Sequence, residues 1–173
     1  MAYCVVRTDL MSGTTDPSCL EHGRFYNAHD AQEAIQNGSI VQVGDLEAGE
    51  RESHKYTDVA DGAVLNDVVL IAEPELITDT SHHKGIADYI SPAGKIIRGY
   101  RLHQFDEFSV SAEGFTSATR QAAQVGAYVS VAEGTHMLAA SARKPDTGLY
   151  IGKIIDVEVK NFVTYYCIAV YGK

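Results

Sequence analysis

Apolar and polar side chains alternate with a period of two through much of the last fifty residues, and this pattern constrains the fold most. It is clear in residues 125–131, and after the turn residues Glu133 and Gly134 the residues 135–140 can return as an antiparallel strand. Residues 155–160 alternate in the same way, and after a turn at Asn161 the residues 162–171 are rich in the aromatic and β-branched side chains that favour a strand. A period of two puts alternate side chains on opposite faces of a β-strand. With turn residues between the segments, the pattern predicts two successive antiparallel hairpins.

The segment at residues 98–110 has the same character. The apolar Phe108 and Val110 alternate with acidic and serine neighbours, which predicts a strand with one face in water. Residues 99–102 predict a partner strand, and residues 104–106 supply a polar break between the two. We therefore expect two neighbouring strands with a structural role.

Short strands are also predicted in the first half of the chain. Residues 40–43 form an apolar run that ends at Gly44, and residues 52–59 form a more polar extended segment. Residues 68–72 are a dense apolar run stopped by Pro74, long enough for a buried strand and too short for a helix. The first half is therefore expected to be rich in β-structure.

Little helix is predicted. Asp30 and Glu33 resemble a capping box, and the residues up to Gly38 would complete about two helical turns. Residues 86–90 have room for a short helical turn, and residues 116–124 for a loop or a brief helix. Short strands with turn residues between them, and without long helices, favour a mainly β fold. We expect a small antiparallel β-barrel or sandwich, built as one body or as two β lobes.

An N-terminal arm and a β-rich body are the two parts that we expect. Residues 8–18 are rich in Gly, Thr, Asp and Pro, a composition that favours extended or looping backbone. We interpret residues 1–24 as an extended arm that becomes ordered against a neighbour. A first strand followed by a long surface loop explains the same residues equally well. The body then covers residues 25–173, with residues 25–115 and 116–173 as the two lobes of the alternative.

Composition and charge limit the class of partner. The chain has 173 residues, 45% of them apolar and 21% charged, which is typical of a soluble globular domain. Fourteen Lys and Arg face 23 Asp and Glu, and the net charge of −9 would repel a phosphate backbone. The longest apolar runs stay well below the roughly 18 residues of a spanning helix. We expect neither nucleic acid nor a membrane as a partner, and synthesis in a cytoplasm.

Histidines and carboxylates offer two weak candidates for a metal site. His82 and His83 are adjacent, so extended backbone would point them to opposite sides and keep them from binding one ion together. His103, Asp106 and Glu107 could supply imidazole and carboxylate ligands at a strand end, but the motif contains no second histidine. We therefore predict no metal ion and no cofactor.

Cysteine chemistry is the remaining catalytic candidate. Cys4, Cys19 and Cys167 are widely separated, so free thiols are expected rather than a disulfide framework or a zinc knuckle. Cys167 lies on one face of the last predicted strand, and His136 could face it as a general base. A buried cysteine in a strand is far more common than a catalytic pair. We therefore predict no catalytic residue and no enzymatic activity.

Three stretches carry a resemblance to a known group of proteins. They are residues 1–14 (MAYCVVRTDLMSGT), residues 49–52 (GERE) and residues 98–110 (RGYRLHQFDEFSV). The chain resembles the capsid decoration proteins, or cement proteins, of tailed bacteriophages. The family pattern has a Gly-Asp turn where this chain has Phe105 and Asp106.

The resemblance implies a non-enzymatic virion protein. Such a protein would bind the outside of an assembled phage capsid, after synthesis in the host cytoplasm, and would bridge major capsid subunits. Its partners would be the major capsid protein and further copies of itself in a homo-oligomer on the capsid. The arm would lie across a neighbour's surface and exchange backbone hydrogen bonds at a sheet edge. The residues that we assign to this partner contact are Tyr3, Val5, Arg7, Leu10 and Met11.

Two alternatives remain open at this point. The first is another virion β protein, such as the base of a head fibre or a tail component. The second is a metal-binding or ligand-binding β-barrel enzyme built around His103, Asp106 and Glu107. A stoichiometric bound metal ion in the purified protein would favour the second alternative.

Overall fold

The computed structural model describes residues 2–11, 17–75 and 85–172, and within these ranges the regular structure consists of ten β-strands and six short 3₁₀ turns. The strands are β1 (Leu20–Phe25), β2 (Ile40–Leu46), β3 (Ser53–Thr57), β4 (Val68–Ile71), β5 (Ile97–Arg101), β6 (Glu107–Ser111), β7 (Tyr128–Val131), β8 (Leu138–Ser141), β9 (Leu149–Lys160) and β10 (Val163–Val170). Short 3₁₀ turns lie at Thr8–Leu10, Pro17–Cys19, Leu65–Asp67, Ile86–Asp88, Ala112–Gly114 and Arg120–Ala122.

The strands form a closed barrel and a second sheet. The barrel order is β1-β3-β2-β4-β5, and β5 closes it by pairing with β1. The β1–β3 pair is parallel, and the other barrel pairs are antiparallel. The second sheet has the order β6-β10-β9-β7-β8 and is antiparallel throughout. The predicted fold class, a mainly β protein with a small barrel, is confirmed.

The dense apolar run at β4 reflects two separate hydrophobic cores. Val69 and Ile71 point into the barrel, where they pack with residues such as Tyr56. Val68 and Leu70 point out of the barrel and join the core between the barrel and the second sheet. Alternate side chains of a strand lie on opposite faces, so a strand between two cores must be apolar on both. All four residues of β4 are therefore buried.

Tyr56 fills the interior of the barrel because two glycines leave room for its ring. A Cβ atom at Gly23 would lie 2.8 Å from the Tyr56 ring, and a Cβ atom at Gly99 would lie 3.2 Å from its hydroxyl oxygen. The side chain is fully buried, and its hydroxyl has no hydrogen-bond partner among the described residues. Burial raises the pKa of this hydroxyl above its usual range.

Most of the predicted strands are confirmed. The apolar run at residues 40–43 lies in β2, which continues to Leu46, and the run at residues 68–72 contains β4. The β7–β8 and β9–β10 pairs are the two antiparallel hairpins predicted for the last fifty residues. The short helical turn predicted within residues 86–90 is the 3₁₀ turn Ile86–Asp88.

The predicted pairing within residues 98–110 is wrong. Both strands exist, as β5 and β6, but they belong to different sheets. Tyr100 of β5 pairs with Leu20 and Leu70 in neighbouring barrel strands, whereas Phe108 of β6 pairs with Ile168 in the second sheet. Alternation specifies which face of a strand is buried, but it leaves the neighbouring strand undetermined.

The helix predicted between Asp30 and Gly38 is also wrong. Asp30 has a φ of +61°, which is left-handed and incompatible with a helix start. The side-chain carbonyl of Asn27 accepts hydrogen bonds from the backbone N–H groups of His29 and Ala31, at 3.0 and 3.2 Å. Ile35 then forms a β-bridge with a loop residue further along the chain. Local side-chain bonds to the backbone compete with helix formation, and here they prevail.

Candidate functional site

The N-terminal segment is the predicted partner contact, and in the structure it lies along the β6 edge of its own chain. The Arg7 N–H donates to the Ser109 carbonyl at 2.9 Å, and the Ser111 N–H donates to the Val5 carbonyl at 2.9 Å. Val6 forms an antiparallel bridge with Val110 between these two bonds. The segment therefore serves as an additional strand at one edge of the second sheet.

Cys4 anchors this segment between the barrel and the second sheet. Its sulfur atom occupies a notch left by Gly38 and Gly114, and a Cβ atom at Gly114 would lie 2.9 Å from that sulfur. The Cys4 N–H donates to the side-chain carbonyl of Gln36 at 3.2 Å. Burial raises the pKa of the Cys4 thiol to about 12, which makes it a packing group rather than a nucleophile.

The five predicted contact residues lie in different environments. Val5 and Met11 are buried within their own chain, whereas Tyr3 and Arg7 are partly exposed. The Arg7 guanidinium binds Glu158 at 2.8 Å and Asp9 at 2.9 Å. The side chain of Leu10 lies outside the described residues, as do residues 12–16 of the predicted arm. Residues 20–24, which end that predicted arm, belong to the barrel strand β1.

The predicted metal candidate at His103 is a turn in the structure. A carboxylate oxygen of Asp106 accepts the backbone N–H of His103 at 2.7 Å and lies 3.5 Å from its Nδ1 atom. This bond holds the connection between β5 and β6. Within the described ranges, no three His, Cys, Asp or Glu side chains converge as ligands for one metal ion. His82 and His83 lie outside those ranges.

Cys167 and His136 have separate partners in the structure. The Nδ1 atom of His136 lies 2.7 Å from a carboxylate oxygen of Asp58, and its ring contacts the edge of Phe25. Cys167 lies beside Ser109, its cross-strand neighbour on β6. Burial raises the pKa of the Cys167 thiol, which disfavours the reactive thiolate form.

The most concentrated polar cluster lies on the barrel surface around Glu47. Its carboxylate accepts hydrogen bonds from the Tyr26 hydroxyl at 2.6 Å and the Ser53 hydroxyl at 2.9 Å, and it pairs with the Arg24 guanidinium. Burial alone would raise the pKa of Glu47, but the hydrogen bonds and the charge of Arg24 outweigh it and lower that pKa. Because these groups join β1, β3 and the end of β2, the cluster stabilises the barrel.

Two exposed phenylalanines are the surface features that sequence reasoning missed. Phe162 is fully exposed in the β9–β10 turn, and Phe105 is 73% exposed in the connection before β6. Both have left-handed backbone, with φ values of +66° and +77°. This conformation is costly for a bulky residue. The sequence placed Phe162 inside a strand, although Asn161 before it was a signal for a two-residue turn.

Within the described ranges, no helix has the length and apolar character that a membrane crossing requires. Searches against family models, curated proteins and solved structures find no match to the chain.

Proposed function

We propose that this chain is a non-enzymatic structural protein that binds the outer surface of an assembled phage capsid and bridges major capsid subunits. The observation that carries the proposal is the pair of exposed phenylalanines, Phe162 in the β9–β10 turn and Phe105 in the connection before β6, each with left-handed backbone. Large aromatic side chains in fixed positions are typical of protein interfaces. The resemblance of residues 1–14, 49–52 and 98–110 to decoration proteins supports the same role.

The distribution of charge favours the second sheet as the side that faces the capsid. Residues 17–101, which contain the barrel, have fourteen acidic and seven basic residues. Residues 102–173, which contain the second sheet, have seven acidic and six basic residues. A nearly neutral surface loses less hydration energy on binding than a strongly acidic one. In this proposal the acidic barrel faces the solvent.

The N-terminal segment remains part of the proposed contact. Val5 and Met11 hold the segment on its own body and the Arg7 guanidinium pairs with Asp9 and Glu158, which leaves the partly exposed Tyr3 for the capsid. A protein that binds only the assembled shell stabilises that shell by mass action, without chemistry. Many identical contacts on one shell add to the effect through a high local concentration.

Co-sedimentation with assembled, undecorated phage heads tests the proposal. We expect saturable binding to heads and none to free capsid subunits. The Tyr3→Ala variant should bind less well, whereas Ile96→Ala, which changes an exposed apolar side chain beside the barrel strand β5, is the control and should bind like the wild type. Failure to bind any head, or equal binding to free subunits, would contradict the proposed role.

A further inference from the structure

The β9–β10 hairpin extends beyond the rest of the second sheet and leaves one strand edge open. On one side, β9 pairs with β10 along almost its whole length, up to Lys160. On the other side, β7 pairs only with residues 149–153 of β9. Among the described residues, no strand pairs with the outer edge of residues 155–160.

The backbone groups of Val157 and Val159 point toward this open edge. Asn161 and Phe162 both have positive φ, so they form a two-residue turn of the kind that closes hairpins. The residues flanking such a turn bond to each other, which directs the backbone groups of Lys160 toward β10. Alternation then directs those of Val159 and Val157 outward. The Val157 N–H accordingly bonds to the Asp156 carboxylate at 2.8 Å rather than to a strand.

The open edge has the sequence Asp-Val-Glu-Val-Lys, which is complementary to itself in the antiparallel direction. We propose that a second copy of this chain pairs with it over residues 156–160, with Glu158 on the two-fold axis. Asp156 of each copy then lies opposite Lys160 of the other copy, and Val157 lies opposite Val159. Both valines have outward backbone groups, so this register forms four hydrogen bonds between the copies.

Charge and exposure around the axis fit this register. Glu158 would meet its own copy, but its carboxylate already binds the Arg7 guanidinium at 2.8 Å, which offsets the like charges. The turn of each copy would end at the level of Ile155 in the other copy. Val125 is 60% exposed and directly precedes Gly126. The Gly126 N–H donates to the Ile154 carbonyl at 2.7 Å, so Val125 lies near Ile155. Phe162 of the second copy would therefore cover Val125 and Ile155.

An open and exposed strand edge usually attracts another strand, and natural proteins often block it with charge or proline. Here Asp156, Glu158 and Lys160 disfavour pairing with strands that would place like charges opposite them. A second copy instead places Asp156 opposite Lys160. Val159 is 72% exposed and would be covered by the pairing. The inference goes beyond the proposed capsid role, because it concerns the protein alone in solution.

Sedimentation velocity of the purified full chain over a range of concentrations tests the dimer and its register. We expect a monomer–dimer equilibrium that weakens about tenfold in Asp156→Lys and in Lys160→Glu, because each variant places like charges opposite each other twice. The double variant exchanges the two charges and should restore the wild-type affinity. Glu133→Lys, an exposed charge change in the β7–β8 turn, is the control and should leave the equilibrium unchanged.

Two results would overturn the inference. The first is a monomer at every concentration up to the solubility limit. The second is a dimer that Asp156→Lys leaves intact or that the double variant fails to restore, since either outcome rules out this register. Hydrogen exchange adds a readout at one position, because the Val159 amide should be protected in the dimer and exchange freely in the monomeric variants. A protein that binds phage heads but remains monomeric would refute the dimer alone.

Discussion

Replacing Tyr56 by Phe is expected to stabilise the protein by about 1 kcal/mol. The Tyr56 hydroxyl is fully buried in the barrel without a hydrogen-bond partner among the described residues, and leaving such a group unpaired costs about 1–3 kcal/mol. Phe keeps the ring that fills the space beside Gly23 and Gly99, so no cavity forms. In a chain of this size, 1 kcal/mol raises the melting temperature by about 2–4 °C, which calorimetry or urea unfolding resolves.

Tyr26→Phe is the matched control, because it removes a hydroxyl that does have a partner. The Tyr26 hydroxyl donates to the Glu47 carboxylate at 2.6 Å, so its loss should destabilise the protein by about 1–2 kcal/mol. The two variants delete the same atom and should shift stability in opposite directions. A Tyr56→Phe variant that melts lower than the wild type would show that the hydroxyl is hydrogen-bonded, for example to a buried water, and would refute the reasoning.

Three further substitutions test the barrel interior, the β9–β10 turn and the polar cluster around Glu47, and Gly85→Ala is the control for the first of them. Gly99→Ala should cost about 1–3 kcal/mol in urea unfolding, because its Cβ atom would lie 2.8 Å from that of Val69. Gly85→Ala, whose Cβ atom would meet no atom of the described residues closer than 3.8 Å, should be nearly neutral. Phe162→Gly should stabilise the monomer by about 1 kcal/mol in thermal unfolding, because it relieves the left-handed backbone, and should weaken self-association in sedimentation. Glu47→Gln should lower stability by about 2 kcal/mol in urea unfolding at pH 7. Because folding lowers the pKa of Glu47, that deficit should persist above about pH 5 and shrink as the pH falls through the folded-state pKa.

Each of these predictions has an outcome that contradicts it. Equal stability of the two glycine variants would show that the barrel has room beside Gly99. A Phe162→Gly variant that loses stability would mean that the ring packs within its own chain. A Glu47→Gln deficit that is constant from pH 7 to pH 3 would show that the carboxylate stabilises the barrel by shape rather than by charge.

The two hairpins of the second sheet were predictable because their contacts are local. Consecutive strands form the β7–β8 and β9–β10 hairpins, so the alternation and one turn specify each pair. The barrel was not predictable in the same way, because β1 pairs with β3 and β5, which are distant in the chain. Pattern identifies such strands, whereas their order depends on which apolar faces pack together after collapse.

The error at residues 98–110 follows from the same limit. Five residues between β5 and β6 would suffice for a hairpin, but Leu102 is buried and the backbone at Phe105 is left-handed. Asp106 holds the turn through the His103 N–H. These features redirect the chain from the barrel to the second sheet, and left-handed backbone at a phenylalanine leaves no signal in the sequence.

The N-terminal segment shows why its deletion would not test the proposed capsid contact. Its composition predicts an extended arm that becomes ordered against a neighbour. In the structure, Cys4, Val5, Val6 and Met11 are all buried within their own chain. Exposing four such side chains would cost roughly 1.5–2 kcal/mol each, a large part of the 5–15 kcal/mol that stabilises a typical domain. Deleting the first 24 residues would also remove most of β1 and open the barrel. Loss of capsid binding after such a deletion would therefore report unfolding, and only surface substitutions such as Tyr3→Ala can test the contact.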